Sequence, residues 1–346
     1  MSDLRLDNVG LRYSGQTDWA VSRVSFALAG GSLGVLLGAS GSGKTTLLRL
    51  IAGLVQPETG DIRLEGRSIL REPAETRGAP VVFQDPLLFP TMSVAENIGF
   101  GLRMQGAVRA EIDAAVAHLL SRVRLDGYGS RRPAELSAGQ AARVALARAL
   151  AVAPRLWLLD EPLAALDPRL RADMQDLIAD LQASTGTTTL LVTHDQEEAV
   201  RLGQQVGFLV AGRLRQWGPP RAFYDRPADR DVAAFFGARN FLPGQVRGTS
   251  FHGPLGPLRI AECAPEGPCL LTIRPEAIVF GDGPNARPAR ITSARYLGTR
   301  VELTLVAEGA ELIASVPPHT AATVEPGQDI TISLPPAHLW AMPTDQ

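Results

Sequence analysis

Two patterns of apolar and polar positions follow one another along the chain. Between residues 3 and 28 the apolar positions recur at short alternating intervals. Leu4, Leu6 and Val9 form one set and Val21, Val24 and Phe26 another, with a turn at Ser14-Gly15-Gln16 between them, which predicts short strands. Gly34-Val35-Leu36-Leu37 reads as a short buried strand, followed by a glycine-rich run and a helix from Thr45 to Gly53, where Gly53 supplies a C-terminal stop. Residues 61–83 read as strand, ending in Val81-Val82-Phe83. From 93 to 150 the period becomes helical. Ile112, Val116, Leu119 and Leu120 share one helix face, and Ala141 to Ala153 is rich in the strong helix formers Ala, Leu and Arg. Leu156-Trp157-Leu158-Leu159 is an apolar strand ending in acid. Asp167 to Gln182 is helical, and Thr188 to Val192 is a buried strand leading into Thr193-His194-Asp195. Alternation of strand and helix predicts an α/β architecture with a largely parallel sheet. After about Gly237 the pattern turns to short alternating stretches, Leu270–Ile273, Val301–Val306, Leu312–Val316 and Ile330–Leu334, separated by Pro and Gly. That predicts a small all-β barrel or sandwich over 240–346, after an α/β domain over 1–236.

Composition narrows the function. The chain has 346 residues, 45% hydrophobic and 20% charged, enough for sizeable cores and unlike a disordered chain. Lys+Arg is 34 against Asp+Glu 36, a net charge of −2, which argues against a nucleic-acid partner held by a basic face. No apolar run reaches the ~18–20 residues of a spanning helix, and MSDLRLDNVG has no apolar signal core, so a cytoplasmic location is expected. Cys263 and Cys269 are the only cysteines. They exclude a disulfide framework and read as ordinary residues of the β domain rather than metal ligands. His118 reads as a helix-surface residue and the Arg131-Arg132 pair as a solvated face. Of the 34 basic residues 33 are Arg and one is Lys, Lys44, so position 44 calls for a compact ammonium in a chain that otherwise uses guanidinium.

Lys44 stands in a recognisable context. Gly38-Ala39-Ser40-Gly41-Ser42-Gly43-Lys44-Thr45 fits G-x-x-x-x-G-K-[ST], after a buried strand and before a helix. Glycines let backbone N–H groups converge on phosphate oxygens, and the helix start adds its positive dipole end. Lys44 is placed to reach the β- and γ-phosphates and the Thr45 hydroxyl to ligate Mg²⁺. Thr46 follows as a further nucleotide-binding position. The strand ending at Asp160 puts a carboxylate at the carboxyl edge of the sheet, where it would hold Mg²⁺ directly or through water. Glu161 beside it is the natural general base for an attacking water.

Further residues carry a family resemblance. Leu136-Ser137-Ala138-Gly139-Gln140 resembles the LSGGQ signature of ATP-binding cassette (ABC) ATPases. The following RVALARALA, Arg143–Ala151, also resembles that family, and Asp160-Glu161-Pro162 with Ala165-Leu166-Asp167 is similar to its acidic strand and D-loop. Gln84 after Val82-Phe83 resembles its Q-loop, His194 its switch histidine, and Tyr13 its adenine-stacking aromatic, with Trp19 a weaker competitor. Ala138 departs from the signature by replacing its first glycine, and the segment after Gln140 lacks the usual second Gln. Asn240-Phe241-Leu242-Pro243-Gly244 and Thr272-Ile273-Arg274-Pro275-Glu276 resemble the β domain, called TOBE and OB-like, of importer ATPases of the maltose, polyamine, iron, sulfate and molybdate type.

The resemblance implies a P-loop NTPase cassette with a helical subdomain at about 86–152, and ATP with Mg²⁺ as cofactors. It implies a head-to-tail homodimer in which Ser137, Gly139 and Gln140 of one copy cap the γ-phosphate held by the other. Glu161 would polarise the water and His194 would contact the γ-phosphate. Gln84 would contact Mg²⁺ and report occupancy, and Asp167 would link the two sites. Membrane permease subunits would dock at a groove near 85–105, where Pro86, Leu87, Leu88, Phe89 and Pro90 are unusually apolar. A periplasmic or extracellular substrate-binding protein would act indirectly, and the chain would lie peripherally at the cytoplasmic face of the cell membrane. Polyamine or ferric iron is the expected cargo. One alternative is a soluble non-transport ABC ATPase, which usually has two cassettes or a coiled-coil insertion. The other is an importer ATPase whose β domain chiefly regulates it.

Overall fold

The computed structural model describes residues 3–262, 266–321 and 324–344. Cys263 lies outside the described residues. The chain divides into two units, Met1–Pro220 and Arg221–Gln346.

The first unit opens with β1 (Leu4–Leu11), β2 (Val21–Leu28), β3 (Leu33–Leu37), α1 (Lys44–Ala52), β4 (Thr59–Leu64), β5 (Arg67–Ser68) and β6 (Val81–Val82). The expected strand over 61–83 is therefore broken. Pro73, Gly78 and Pro80 interrupt it, and Arg77, 0% exposed, donates to the carbonyl oxygens of Glu72, Leu50 and Ile51. That guanidinium satisfies carbonyls at the end of α1, whose C-cap Gly53 has φ 81. A Cβ on Gly53 would lie 2.5 Å from Arg77 Nε, so burial of the Arg and the glycine depend on one another. Then follow α2 (Val94–Met104), α3 (Arg109–Arg122), α4 (Ala138–Ala151), β7 (Leu156–Asp160), α5 (Pro168–Thr185), β8 (Thr188–Thr193), α6 (Gln196–Leu202), β9 (Gln205–Val210) and β10 (Arg213–Gly218). Val116 and Leu120 are buried on α3 as its spacing predicts, and His118 is exposed.

A six-stranded sheet runs β10-β9-β3-β8-β7-β6, parallel except at the β10 edge, and a four-stranded antiparallel sheet runs β2-β1-β4-β5. One apolar core takes Leu4, Leu6 and Val9 from β1, Leu47, Leu48 and Ile51 from α1, and Leu158, Leu190 and Leu209 from the parallel strands. At roughly 1.5–3 kcal/mol for each fully buried Leu or Ile, this packing outweighs helix propensity and fixes where the start of α1 points.

The second unit carries α7 (Pro220–Asp225), which begins at the dividing point, α8 (Arg230–Phe235), β11 (Asn240–Arg247), β12 (Ser250–Gly253), β13 (Gly256–Arg259), β14 (Gly267–Ile273), β15 (Val279–Phe280), β16 (Arg287–Tyr296), β17 (Val301–Ala307), β18 (Ala310–Val316), α9 (Pro318–Ala321), β19 (Asp329–Ser333) and β20 (Leu339–Pro343). Two antiparallel five-stranded sheets, β13-β12-β11-β14-β20 and β15-β19-β16-β17-β18, share one apolar core. The expected all-β domain is present. Its unit starts at Arg221, earlier than the 236–240 expected from composition, because buried Arg274 donates to the carbonyl oxygens of Phe223, Tyr224, Ala233 and Phe236 and so ties α7 and α8 to the β domain. Burial pushes the Arg274 pKa down. Among the described residues no helix is long and apolar enough to cross a membrane.

Candidate nucleotide-hydrolysing site

Strand register brings the candidate residues together. Leu37 at the end of β3 pairs with Thr193, Asp160 at the end of β7 pairs with Val192, and Val82 at the end of β6 pairs with Leu159. The carboxyl ends of β3, β8, β7 and β6 therefore lie level. The glycine loop, His194, Glu161 and Gln84, each leaving one of those ends, emerge along a single edge.

The loop from Gly38 into α1 needs its glycines. A Cβ on Gly38 would meet the Leu209 carbonyl oxygen at 2.3 Å, one on Gly43 the Ala20 carbonyl oxygen at 2.3 Å, and Gly41 and Gly43 have φ 78 and 101. Lys44, 4% exposed, donates from Nζ to the carbonyl oxygens of Gly38 (2.8 Å) and Ala39 (2.9 Å) and stands 3.9 Å from Glu161 Oε1. Burial pushes its pKa down, against the pull of Glu161 and Asp160. An anion in the loop relieves that desolvation. Ser42 Oγ is buried in the loop without a hydrogen-bond partner, a second group that a phosphate oxygen satisfies.

Thr45 donates from Oγ1 to Asp160 Oδ1 at 3.0 Å, and burial holds the Asp160 carboxyl above the usual carboxylate range. Glu161 has φ 48, a left-handed backbone rare for a non-glycine residue, and its N–H donates to the Val192 carbonyl oxygen at 3.0 Å. His194, exposed beyond β8, places Nδ1 2.9 Å from Glu161 Oε2. A cleft of about 750 Å³ is lined by Tyr13, Ser40 to Thr46, Gln84, Asp160 and Glu161. The Tyr13 hydroxyl lies 3.2 Å from Thr46 Oγ1, which anchors the half-buried ring to α1. Gln16, Asp18, Trp19, Ala20 and Arg49 also line the cleft. Trp19 was named in the sequence only as a weaker competitor to Tyr13 for the adenine. Arg49 was not singled out; it lies in the last turn of α1, four residues after Thr45 and so on the same helix face.

The remaining expected residues lie outside this cleft in the single chain. Ser137 caps α4. Its Oγ accepts the Gln140 N–H at 3.3 Å and its own N–H donates to Gln140 Oε1 at 3.0 Å. Ser137 and Ala138 are exposed and Gly139 is buried, where a Cβ would lie 2.6 Å from Leu170 Cδ2. Asp167 caps α5, accepting the N–H groups of Arg169 and Leu170 at 3.1 and 3.0 Å. After Gln84 a second, apolar groove of about 280 Å³ is lined by Val81, Leu87, Phe89, Phe100 and Val152. Arg148 shapes it by donating to the carbonyl oxygens of Pro86 (3.0 Å) and Leu87 (2.9 Å). Buried Asn97 brackets Phe89 by accepting its N–H and donating to its carbonyl oxygen. Both residues were missed in the sequence, where an Arg in an Ala-rich helix and an Asn in a helix carry no signal of their own.

A glycine loop with a buried Lys, a Thr–Asp pair and a carboxylate backed by a histidine defines a P-loop nucleoside-triphosphate hydrolase site. Residues 21–164 match the ABC transporter family and residues 271–342 the TOBE domain. The spermidine/putrescine import ATP-binding protein PotA of Ruegeria pomeroyi is 41% identical over 329 residues, 91% of this chain and 89% of the relative. The protein of that name from Rubrobacter xylanophilus is 38% identical over 349 residues, 97% and 92% of the two chains. The sulfate/thiosulfate import ATP-binding protein CysA of Thermosynechococcus vestitus is 42% identical over 302 residues, 85% of each. Among solved structures, cbiO1 from Clostridium perfringens, part of an ABC transporter complex, matches with a TM-score of 0.60 and 28% identity, covering 67% of this chain and 94% of that one. An ATP-binding cassette solved as a dimer in a post-hydrolysis state with ADP and Pi matches with a TM-score of 0.57 and 28% identity, covering 63% and 99%. The chain belongs to the ATP-binding subunits of ABC transporters, in the branch with a C-terminal TOBE domain. It binds nucleotide and is an ATPase.

Proposed function

We propose that the chain powers import of a polyamine through separate membrane permease subunits, working as a head-to-tail homodimer at the cytoplasmic face of the membrane. The observation that supports it most is the likeness to import ATPases across both units, β domain included. The glycine loop, Gln84, Asp160, Glu161 and His194 at one sheet edge and an apolar groove beside Gln84 supply the matching parts.

Thr45 and Asp160, 3.0 Å apart, are hard oxygen donors of the kind Mg²⁺ takes, Gln84 adds a neutral oxygen, and phosphate oxygens complete the set, so these residues fit the ion. When bound, Mg²⁺ neutralises charge on the transferring phosphoryl group. Gly38 to Thr46 cradle the phosphates, and Lys44 exchanges its carbonyl acceptors for phosphate oxygens. Tyr13 stacks on the adenine. Glu161 takes the proton of the attacking water, and His194, with Nδ1 on Glu161, holds that carboxylate and keeps Nε2 for the γ-phosphate. Ser137, Gln140 and the N–H groups at the start of α4 lie outside the cleft and close it from a second copy, with Gly139 allowing α4 to seat on α5 and Asp167 facing the partner site. A permease helix occupies the groove by Phe89 and Phe100, on the chain segment that leaves Gln84.

Polyamine is the expected cargo that matched relatives carry in their names, while a sulfate-type relative is as similar in sequence. Purifying the tagged chain from its native membranes in mild detergent should bring down two polytopic membrane subunits. Vesicles holding that complex and its binding protein should take up spermidine at the expense of ATP. Recovery of soluble partners alone would overturn import, and sulfate uptake without spermidine uptake would overturn the cargo.

A further inference from the structure

A run of polar contacts behind the cleft is unused by the mechanism above. Thr193 ends β8 immediately before His194. Its Oγ1 donates to Glu198 Oε2 at 2.6 Å and accepts the Asp195 N–H at 3.0 Å, so one hydroxyl engages the chain on the far side of His194 as well as α6. The Glu198 side chain is 4% exposed, and desolvation holds its carboxyl above the usual range, partly offset by the Thr193 hydrogen bond. Asp195 in turn caps α6 through the N–H groups of Glu197 and Glu198.

Arg171, in the first turns of α5, faces this group. Its Nη1 stands 3.5 Å from Asp195 Oδ2, and its Nη2 donates to the Leu166 carbonyl oxygen at 3.1 Å, in the turn that ends at Asp167. Its Nε is buried without a hydrogen-bond partner, 3.9 Å from Glu198 Oε1, about 1 Å beyond hydrogen-bond length. A buried carboxylate facing a guanidinium at that distance is a poor device for stability alone, because an apolar pair of similar volume serves stability as well or better. What the arrangement does fix is position. The Leu166 carbonyl, Arg171, Asp195, Glu198 and Thr193 form a continuous path from the Pro162–Asp167 turn to the residue preceding His194.

We propose that Thr193, Glu198 and Arg171 are positioning residues that hold His194 against Glu161 and tie its placement to the Asp167 turn. This rests on the reading of His194 as part of the hydrolytic site. None of the three lines the nucleotide cleft, and all act through His194. A shift of the Asp167 turn pulls on the Leu166 carbonyl and is passed through the rigid Arg fork to α6 and the end of β8.

The test is a double-mutant cycle on steady-state ATPase of the full chain, with melting temperature followed in every variant. Thr193→Val should lower kcat about tenfold, a cost in keeping with sub-ångström to 1 Å misplacement of a reacting group, and leave the KM for ATP within about twofold. Thr193→Ser keeps the hydroxyl and should restore kcat. In a His194→Ala background Thr193→Val should have no further effect, since the residue it positions is gone. A structural role would lower both backgrounds alike. Should Thr193→Val fail to fold, Arg171→Met, at a partly exposed position, should show the same dependence on His194. Wild-type kcat in Thr193→Val or Arg171→Met, or a loss that multiplies with that of His194→Ala, would overturn the relay. A wild-type rate in His194→Ala alone would remove the reading of His194 as well.

Discussion

Glu161 shows how much of the chemistry is decided at single positions. Its carboxylate lies between Lys44 at 3.9 Å and His194 at 2.9 Å, on a backbone held at φ 48 by a hydrogen bond to β8. Glutamine at this position keeps shape and hydrogen bonding but not basicity. Glu161→Gln should bind ATP as the wild type does, lose about 10²–10⁴-fold in turnover, and accumulate as an ATP-bound dimer on size-exclusion chromatography. Normal turnover would remove Glu161 from the role of base. Lys44, the one Lys of the chain, and Thr45 and Asp160, 115 positions apart, were legible from motif and spacing. The His194–Glu161 contact was not, because it depends on β8 and β7 being neighbours in the sheet. Nor were Arg148 and Asn97, whose work is to hold backbone carbonyls that come near only in the folded chain.

Among the elements, α4 carries the most consequence. The sequence placed a helix there by composition, and the structure adds the Ser137 cap and the seat. Gly139 is buried because α5 approaches within 2.6 Å of where its Cβ would be, while Ala138, the departure from the signature, faces solvent. That explains why the first glycine of the signature is dispensable for the fold and the second is not. Gly139→Val overpacks the contact with Leu170 and should cost about 1–3 kcal/mol, read as a lower melting temperature. Ala138→Gly should move stability by only a few tenths of a kcal/mol up to about 1 kcal/mol, through helix propensity alone. An equal loss in the two variants would show that Leu170 yields without cost. The broken strand over 61–83 makes the reverse point. The sequence read this stretch as strand ending in Val81-Val82-Phe83, and in the folded chain Arg77 instead turns inward to satisfy the end of α1.

At the scale of the molecule, the division at Pro220 has a practical consequence. A chain ended at 236 keeps α7 and α8 but loses Arg274, the shared donor to the carbonyl oxygens of Phe223, Tyr224, Ala233 and Phe236, and with it the tie of both helices to the β domain. A chain ended at 220 carries neither. The shorter form should be the more soluble of the two, with the same melting temperature for the α/β unit. A better-behaved 1–236 form, by thermal melt and light scattering, would contradict the assignment of α7 and α8 to the second unit. The composition shift near Gly237 marked where helix gives way to strand, but a unit is bounded by its contacts, and Arg274 reaches back across that shift.

What the chain determined by itself is local. The glycine loop, the alternation of strands and helices, the helix caps at Ser137 and Asp167, and the single Lys44 all follow from short-range sterics, propensity and charge type, which act between residues close in sequence. Tertiary structure alone decided which strand ends lie level, which glycine of the signature is buried, where the two units part, and which side chains far apart in sequence stand behind His194. Those outcomes depend on strand order and on burial, and neither exists until the sheets have formed and excluded water.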